Sequence, residues 1–555
     1  MGTIALDLER PSQPVQVARS ATVASIAIAV GRMTGLLREM VMANKFGAGF
    51  SYDAFLLAFR IPNLTRDLFA EGSLSSAFVP TFTATLTKEG AEEAALLANL
   101  VSTSIVLVVG AVCGLGIIFA PALVTLLAPG FAAEPGKFEL AVHLTRIMFP
   151  FLLLVALAVQ AAGMLNSCGA FGLPALASTA FNVGAVVFGL GLGFWTGPYI
   201  GIAPIDGMAY GILIGGALQF AWQIPRLSRL GFSFRLAFRR SHPGLHRIFA
   251  LMLPALLANA AVQINAVVNT SYASRLSDPL RGHDGPVSWL GYALRFVQLP
   301  LGLFGAALAS ALLPSVARSA AIGNLEEFRN TVSRSLNLIF LFTIPSSVIL
   351  IVLGRPIIGL VFQSGRFQEY DTHQTALALA CYSFGLLAYA SVKILNPAFY
   401  ALADSRTPMY ASLLSIVANV CLPLVLLERF HFSFAALALT TSFAVTLEAV
   451  VLFMRLRQKL TGIDGRYLLE RFARISAAAV AMTAALLFVM AAVPSFDLPG
   501  RWSYAFELAT ALPVGLVVFV ASCRALQVSE LDLGTAVFSG ALRRRIFAAH
   551  ARIRS

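Results

Sequence analysis

Charge is what this sequence has least of. Only 12% of its 555 residues are charged, against 58% hydrophobic, and the mean hydropathy is +0.80. A soluble globular domain carries about 25% charged residues, so that class is excluded. Cysteine is scarce as well. Cys113, Cys168, Cys381, Cys421 and Cys523 lie in or at the ends of apolar segments without metal-ligand spacing, which leaves packing as their role and offers no metal site. The seven histidines are dispersed. No GxxxxGK[ST] loop is present and no soluble nucleotide-binding domain follows the apolar part, which excludes ATP-driven transport by this chain. GSLSS from Gly72 lacks the strand-turn-helix setting of a nucleophile elbow, so no catalytic residue is expected. The short alternating strands of an outer-membrane barrel are missing too.

What is there is a succession of apolar runs, each long enough to cross a hydrocarbon core about 30 Å thick as a helix. The pattern predicts an all-α integral membrane protein of about 14 transmembrane helices, near 20–42, 53–82, 95–127, 140–165, 173–195, 205–224, 247–272, 287–314, 332–353, 374–401, 408–427, 433–454, 473–493 and 503–523. An even number puts both termini on one side. Of the 40 Lys and Arg residues, 25 then fall in segments on the side of the termini and 8 in those opposite, which predicts cytoplasmic termini in a multi-pass inner-membrane protein. The net charge of +13 is this topology signal together with contact to anionic membrane lipids. Its scatter over many loops argues against nucleic acid. The polar first 18 residues, followed by a helix holding Arg32 and Arg38, argue against a cleaved signal peptide.

Seven basic residues remain inside the apolar runs: Arg32, Arg38, Arg60, Arg66, Arg146, Arg295 and Lys393. Each arginine at mid-bilayer costs about 2.5–3.5 kcal/mol on insertion scales, so a set of them persists only against protein or a water-filled cavity. The acids in comparable places are Glu39, Asp53, Asp67, Glu71 and Glu448. For Arg146, at an expected helix start, and Glu448, near an expected helix end, snorkelling or a structural ion pair is the simpler reading. The first two helices are harder to dismiss. Asp53, Arg60 and Glu71 return to nearly one helix face, and Arg32 and Glu39 are seven apart beside the small-residue step of Gly31 and Gly35. Two readings fit: a polar cavity lining, or buried ion pairs with an architectural role. A net-positive cavity suits an anionic cargo, phosphorylated or carboxylated, because guanidinium groups grip such anions through paired hydrogen bonds.

The second half of the chain echoes the first. RIPNLTRDLFAEGSLSSAFVP from Arg60 matches RFVQLPLGLFGAALASALLP from Arg295, with nine residues from Arg to Phe in both. A weaker echo joins the segments ending at Asn182 and Asn419. The period is six helices, which gives two pseudo-symmetric six-helix lobes and two added helices: 1–230, 231–460, 461–527, then a basic cytoplasmic tail at 528–555. Secondary transporters place their sites at such repeat interfaces. With no ATPase, the energy source is an ion gradient, the membrane potential or the substrate's own gradient, and no cofactor is expected. The seventh helix carries Asn259, Asn265 and Asn269 but no carboxylate, which gives a bound-sodium mechanism no support.

GRMTGLLREMVMANKFGAG, YDAFLLAFRIPNLTRDLFAEGSLSSAFVP, APGF from Ala128, PLGLFGAALASALLPS, FQSGRF from Phe362 and KILNPAFYALADSRTP from Lys393 resemble, in order and spacing, the MurJ/MviN family of bacterial lipid II flippases. The resemblance implies the multidrug/oligosaccharidyl-lipid/polysaccharide exporter fold. It also implies transfer of undecaprenyl-pyrophosphate-linked peptidoglycan precursor (lipid II) from the cytoplasmic to the periplasmic leaflet by alternating access, for cell-wall synthesis, in a chain working as a monomer, with cell-wall synthesis proteins as candidate partners. The family's important charges fall on Arg32, Arg38, Asp53, Arg66 and Arg295, and its FAEG motif on Phe69 to Gly72. The expected substrate-binding set is Arg32, Arg38, Arg60, Arg66 and Arg295. Glu39, Asp53 and Glu71 are expected as gating or ion-pair residues, with Asp53 and Glu71 holding those arginines in the empty state. Helices thirteen and fourteen are expected to offer the lipid tail a groove. Two departures stand out: Glu39 replaces the family's usual Asp, and YALR from Tyr292 replaces YADR, so Leu294 stands where an acid is usual. The alternatives are a flippase for another polyprenyl-pyrophosphate-linked glycan, or a non-transporting membrane scaffold.

Overall fold

Hydrocarbon offers no partner to a bare N–H or C=O, so a chain this apolar satisfies its backbone within helices. The computed structural model describes residues 14–66, 74–238, 242–429, 433–460, 462, 465–492 and 501–531, and among these the regular structure is helical. In chain order the helices are α1 Pro14–Phe46, α2 Phe50–Arg66, α3 Ser75–Lys88, α4 Ala91–Ile118, α5 Ala120–Leu127, α6 Lys137–Met148, α7 Phe151–Ser167, α8 Gly172–Leu190, α9 Gly197–Ile200, α10 Pro204–Ala221, α11 Ile224–Arg229 and α12 Pro243–Arg275. There follow α13 Pro286–Pro300, α14 Ala306–Ala321, α15 Leu325–Val352, α16 Gly354–Phe362, α17 Glu369–Ser383, α18 Leu386–Ala401, α19 Arg406–Pro423, α20 Ala435–Lys459, α21 Gly465–Ala492 and α22 Arg501–Ala525.

Each of the fourteen expected spans overlaps a helix, and prolines explain where an expected span is broken. Pro121 starts α5 after the kink at Phe119, and Pro150 separates α6 from α7. Pro300 and Pro423, which lack an N–H, each precede a wider π turn, at Leu301–Gly305 and Leu424–Arg429. Among the described residues, 8 helices are long and apolar enough to cross a membrane, or 9 if α17 and α18, bent by 41°, form one span. Helices α1, α2 and α13, which carry the expected site charges, are not among them. Arg146 lies near the end of α6, not at a helix start, with its side chain exposed and its Nε donating to Ile117 O at 3.3 Å.

The chain forms two compact units, Met1–Ser288 with Gly365–Phe367, and Trp289–Ser364 with Gln368–Ser555. The expected boundary at 230 therefore falls inside the first unit, because α12 packs on α3 and on the Pro129–Ala133 turn. In that unit α8 packs against both α1 and α10. Gly31 is where α1 comes closest: a Cβ there would collide with Ser178 Oγ. In the second unit α21 and α22 pack on each other, α21 also on α15 and α22 on α16, around a core that includes Leu341, Ile475, Met482, Leu486 and Phe519. The Lys393 motif ends in a helix cap: Asp404 accepts from Thr407 N at 3.0 Å and from Lys459 Nζ at 2.7 Å. The Lys459 hydrogen bond, with Thr407's, holds the Asp404 carboxyl down at about 2.

Candidate functional site

Arg38 and Glu39 of α1 are fixed by helices α2 and α8. Arg38 is 8% exposed, and its guanidinium forks, donating from Nη1 to Asn182 Oδ1 at 3.2 Å and from Nη2 to Glu39 Oε1 at 3.0 Å. The Tyr52 hydroxyl donates to Glu39 Oε2 at 2.6 Å, and Asn182 Nδ2 donates to Gly31 O at 3.1 Å. Phe59 and Phe181 stack on the Arg38 guanidinium at 5.5 and 5.3 Å. Every strong hydrogen-bonding group here is answered by a neighbour, so the arrangement holds α1, α2 and α8 in one register. The acid paired with Arg38 is its neighbour Glu39, not Asp53.

Asp53, near the start of α2, is fully buried and collects four donors. Its Oδ2 accepts from Lys137 Nζ at 2.9 Å and from Gly285 N at 2.9 Å, while Oδ1 accepts from Ser288 N at 2.9 Å and from the Ser288 hydroxyl. Gly285 and Ser288 are at the N-terminus of α13, whose first amides have no partner within their own helix. A carboxylate from another helix caps them and meets the positive end of the helix dipole. Lys137, at the first position of α6, has no exposed surface; its ammonium also donates to Asp284 Oδ1 at 2.6 Å and His283 O at 3.0 Å, and lies 4.8 Å from the Phe131 ring. The expectation that Asp53 holds a cavity arginine is corrected: its cation is Lys137. In the sequence Lys137 read as one of eight lysines and arginines marking the side opposite the termini. Burial is the property that this count does not contain, and the only available signal was its place just after Pro135 and Gly136 at a helix start.

Asp53 and Ser288 are 235 residues apart, the same offset as Arg60 and Arg295, so the capping hydrogen bonds join equivalent positions of the two repeats. The offset recurs in Gly130 of APGF and Gly365 of FQSGRF. Gly130 N donates to Ser274 Oγ at 3.3 Å, and the neighbour of Gly365, Arg366, donates its N–H to Asn44 O at 2.9 Å. A Cβ on Gly130 would collide with Ser274 O in the last turn of α12, and one on Gly365 with Asn44 O in the last turn of α1. Gly130→Ala and Gly365→Ala are each expected to destabilise by about 1–3 kcal/mol through overpacking. Gly110→Ala, where a Cβ meets nothing within 4 Å, is the control and is expected to be harmless. Thermal unfolding of the purified variants in detergent checks the comparison, and equal melting for all three contradicts it.

The remaining expected residues are distributed as follows. Arg32 on α1 and Arg295 on α13 are exposed, and Arg60 on α2 is half-buried. Arg66 closes α2, with its side chain outside the described set; Glu71 and the rest of Phe69 to Gly72 also lie outside the described residues. Around Arg295, Tyr292 and Phe296 pack on Phe362 at 4.7 and 5.5 Å, and Trp289 Nε1 donates to Asp371 Oδ1 at 2.9 Å. These contacts fix the turn that carries Arg295, in which Leu294 is half-buried.

The family model described as "Lipid II flippase MurJ" matches residues 42–510. A lipid II flippase MurJ of Burkholderia cenocepacia is 33% identical over 441 residues, 78% of this chain and 82% of that one. A solved structure of a lipid II flippase MurJ in an inward closed conformation shares the fold, with a TM-score of 0.73 at 24% identity, covering 91% of this chain and 99% of that one. An inward-facing multidrug resistance MATE family transporter of the MOP superfamily gives a TM-score of 0.63 at 15% identity, covering 79% of this chain and 98% of the other.

Proposed function

The chain belongs to the MurJ family of lipid II flippases, and from that premise we propose that it carries lipid II from the cytoplasmic to the periplasmic leaflet by alternating access. The observation that supports a diphosphate headgroup as cargo is the exposure of the Arg32 and Arg295 side chains on α1 and α13. Their planar guanidinium groups suit paired hydrogen bonds to phosphate oxygens. Arg60 and Arg66 assist or gate, and Arg38, fully engaged by Glu39 and Asn182, is a positioning residue. The lipid tail stays in the bilayer or along α21 and α22.

With cytoplasmic termini, the ends of α1 and α12, the Asp53 cap and Lys137 lie on the periplasmic side. There they act as a latch: Asp53, Lys137 and the N-terminus of α13 must part for the headgroup to leave. The closed latch holds because each buried charge is paired and hydrogen-bonded, which offsets its desolvation cost, and it is reversible because water can take over each partner once it opens.

The energy term has a definite sign. Moving an anion out of a cell that is negative inside is downhill by about 2.3 kcal/mol per charge per 100 mV, so two phosphate charges crossing the full field gain roughly 5 kcal/mol. Proteoliposomes holding a labelled lipid II test this. Flipping from the negative to the positive face is expected to accelerate when a potential is imposed, and to slow when the potential is reversed. Labelled polyprenyl-pyrophosphate carrying an unrelated glycan separates the two substrate readings: equal flipping of both favours a general polyprenyl-pyrophosphate flippase.

A further inference from the structure

Helix α20 carries one carboxylate near its middle, Glu448. In the sequence it read as a helix-end residue, but α20 continues to Lys459, so about three turns separate Glu448 from its C-terminus. The side chain is buried, with the residue 8% exposed. Its Oε1 accepts from the Ser412 hydroxyl of α19 at 2.7 Å, and Ser415 of the same helix supplies a second hydroxyl.

The elements packed on α20 are α17, α18 and α19. From α18 the ionisable groups turned toward Glu448 are the phenols of Tyr389 and Tyr400; from α17, Tyr382 acts on Tyr389. From α19 the groups hydrogen-bonded to Glu448 are the Ser412 and Ser415 hydroxyls, and its cation, Arg406, stands at the helix start six residues before Ser412. Lys393, also on α18, is exposed and runs its aliphatic chain past Gly305. The cations of α20 itself, Arg455, Arg457 and Lys459, lie beyond the apolar part of the helix, two turns or more away. Ala388 of α18 packs with Val445 and Ala449, the residues three before and one after Glu448 on α20, with Tyr389 against them. Among the described residues, no cation forms an ion pair with Glu448.

A carboxylate in this setting has hydroxyl donors but no counter-charge. Holding it ionised in a membrane interior is far more costly than holding a neutral acid, so the economical occupant is a proton. The same hydroxyls that accept a proton's hydrogen bond can donate to the carboxylate once the proton has left. We infer that Glu448 is a proton-binding site: the acid is carried neutral when α18, α19 and α20 are closed, and it loses its proton to water admitted when they separate. The chemistry balances as –COOH giving –COO⁻ and a hydrated proton, and the proton returns on closure. Coupling of this step to lipid transfer rests on the flippase reading above; the protonation itself does not.

Infrared spectroscopy on the full chain reconstituted in phosphatidylcholine/phosphatidylglycerol vesicles tests the site directly. The expected result at neutral pH is a carboxylic-acid carbonyl band that Glu448→Gln removes; identical spectra overturn the assignment. Glutamine copies the shape and hydrogen bonding of the neutral acid, so this variant is expected to fold and to flip lipid II. Flipping by the wild type is expected to change several-fold between mildly acidic and mildly alkaline conditions, and the Glu448→Gln profile to be flat. Matching pH profiles overturn the coupling while leaving the infrared result to decide the site. A wild type that flips no lipid II at any pH sinks the flippase reading instead, and the infrared comparison still stands.

Discussion

Replacing Asp53 with alanine is expected to destabilise the protein by about 3–5 kcal/mol and to abolish transport. That magnitude is the usual cost of removing one partner of a buried ion pair. Here two losses coincide. The Lys137 ammonium, with no exposed surface, keeps only Asp284 and a carbonyl, and the Gly285 and Ser288 amides at the head of α13 lose their acceptor. Lys137→Met should also destabilise, but by less, because Asp53 retains three donors from Gly285 and Ser288. The two changes are expected to be non-additive by about 0.5–3 kcal/mol, since they remove opposite ends of one interaction. Unfolding midpoints of the two single variants and the double variant supply the cycle. Strict additivity would mean that Asp53 and Lys137 do not act as one unit. An Asp53→Ala variant that melts like the wild type would mean that the latch is not closed in the resting protein.

The second large effect separates two arginines that look alike in the sequence. Arg38→Ala is expected to cost about 3–5 kcal/mol, because it takes the counter-charge from the buried Glu39 carboxylate and removes a cation from between two phenyl rings. Arg38→Lys should recover little: an ammonium cannot span Asn182 and Glu39 as the planar fork does. Arg295→Ala, at an exposed position, is expected to change stability by about 1 kcal/mol or less and still to eliminate transport. Melting curves beside flipping rates at matched reconstitution make the distinction. An Arg295 variant that loses stability as Arg38's does would assign it an architectural role; an Arg38 variant that is stable but inactive would return Arg38 to the substrate.

The helices and the doubling of the chain were legible because hydropathy and repeat register are properties of the sequence itself. The breaks at Phe119 and Pro150 were written in it too, as prolines inside runs that hydropathy averaged over. The partner of Asp53 was not. Spacing along α2 tells which residues share its face, but which neighbouring helix supplies the counter-charge is decided by packing, and α6 supplied Lys137. The same limit applies to Arg38 and Arg295, where one arginine is enclosed by rings and an amide and the other is exposed. Asn182, marked in the sequence only as half of a weak repeat, proved to be the residue that anchors Arg38. The boundary between halves also shifted: the repeat counts helices, whereas compactness follows contacts, and α12 makes its contacts with α3.

The most direct test of the central claim is complementation of a bacterial strain depleted of its lipid II flippase. The wild-type chain is expected to restore growth and cell-wall synthesis, and Arg295→Ala at matched membrane expression to fail. A wild-type chain that is well expressed in the membrane and does not restore growth would contradict lipid II transport.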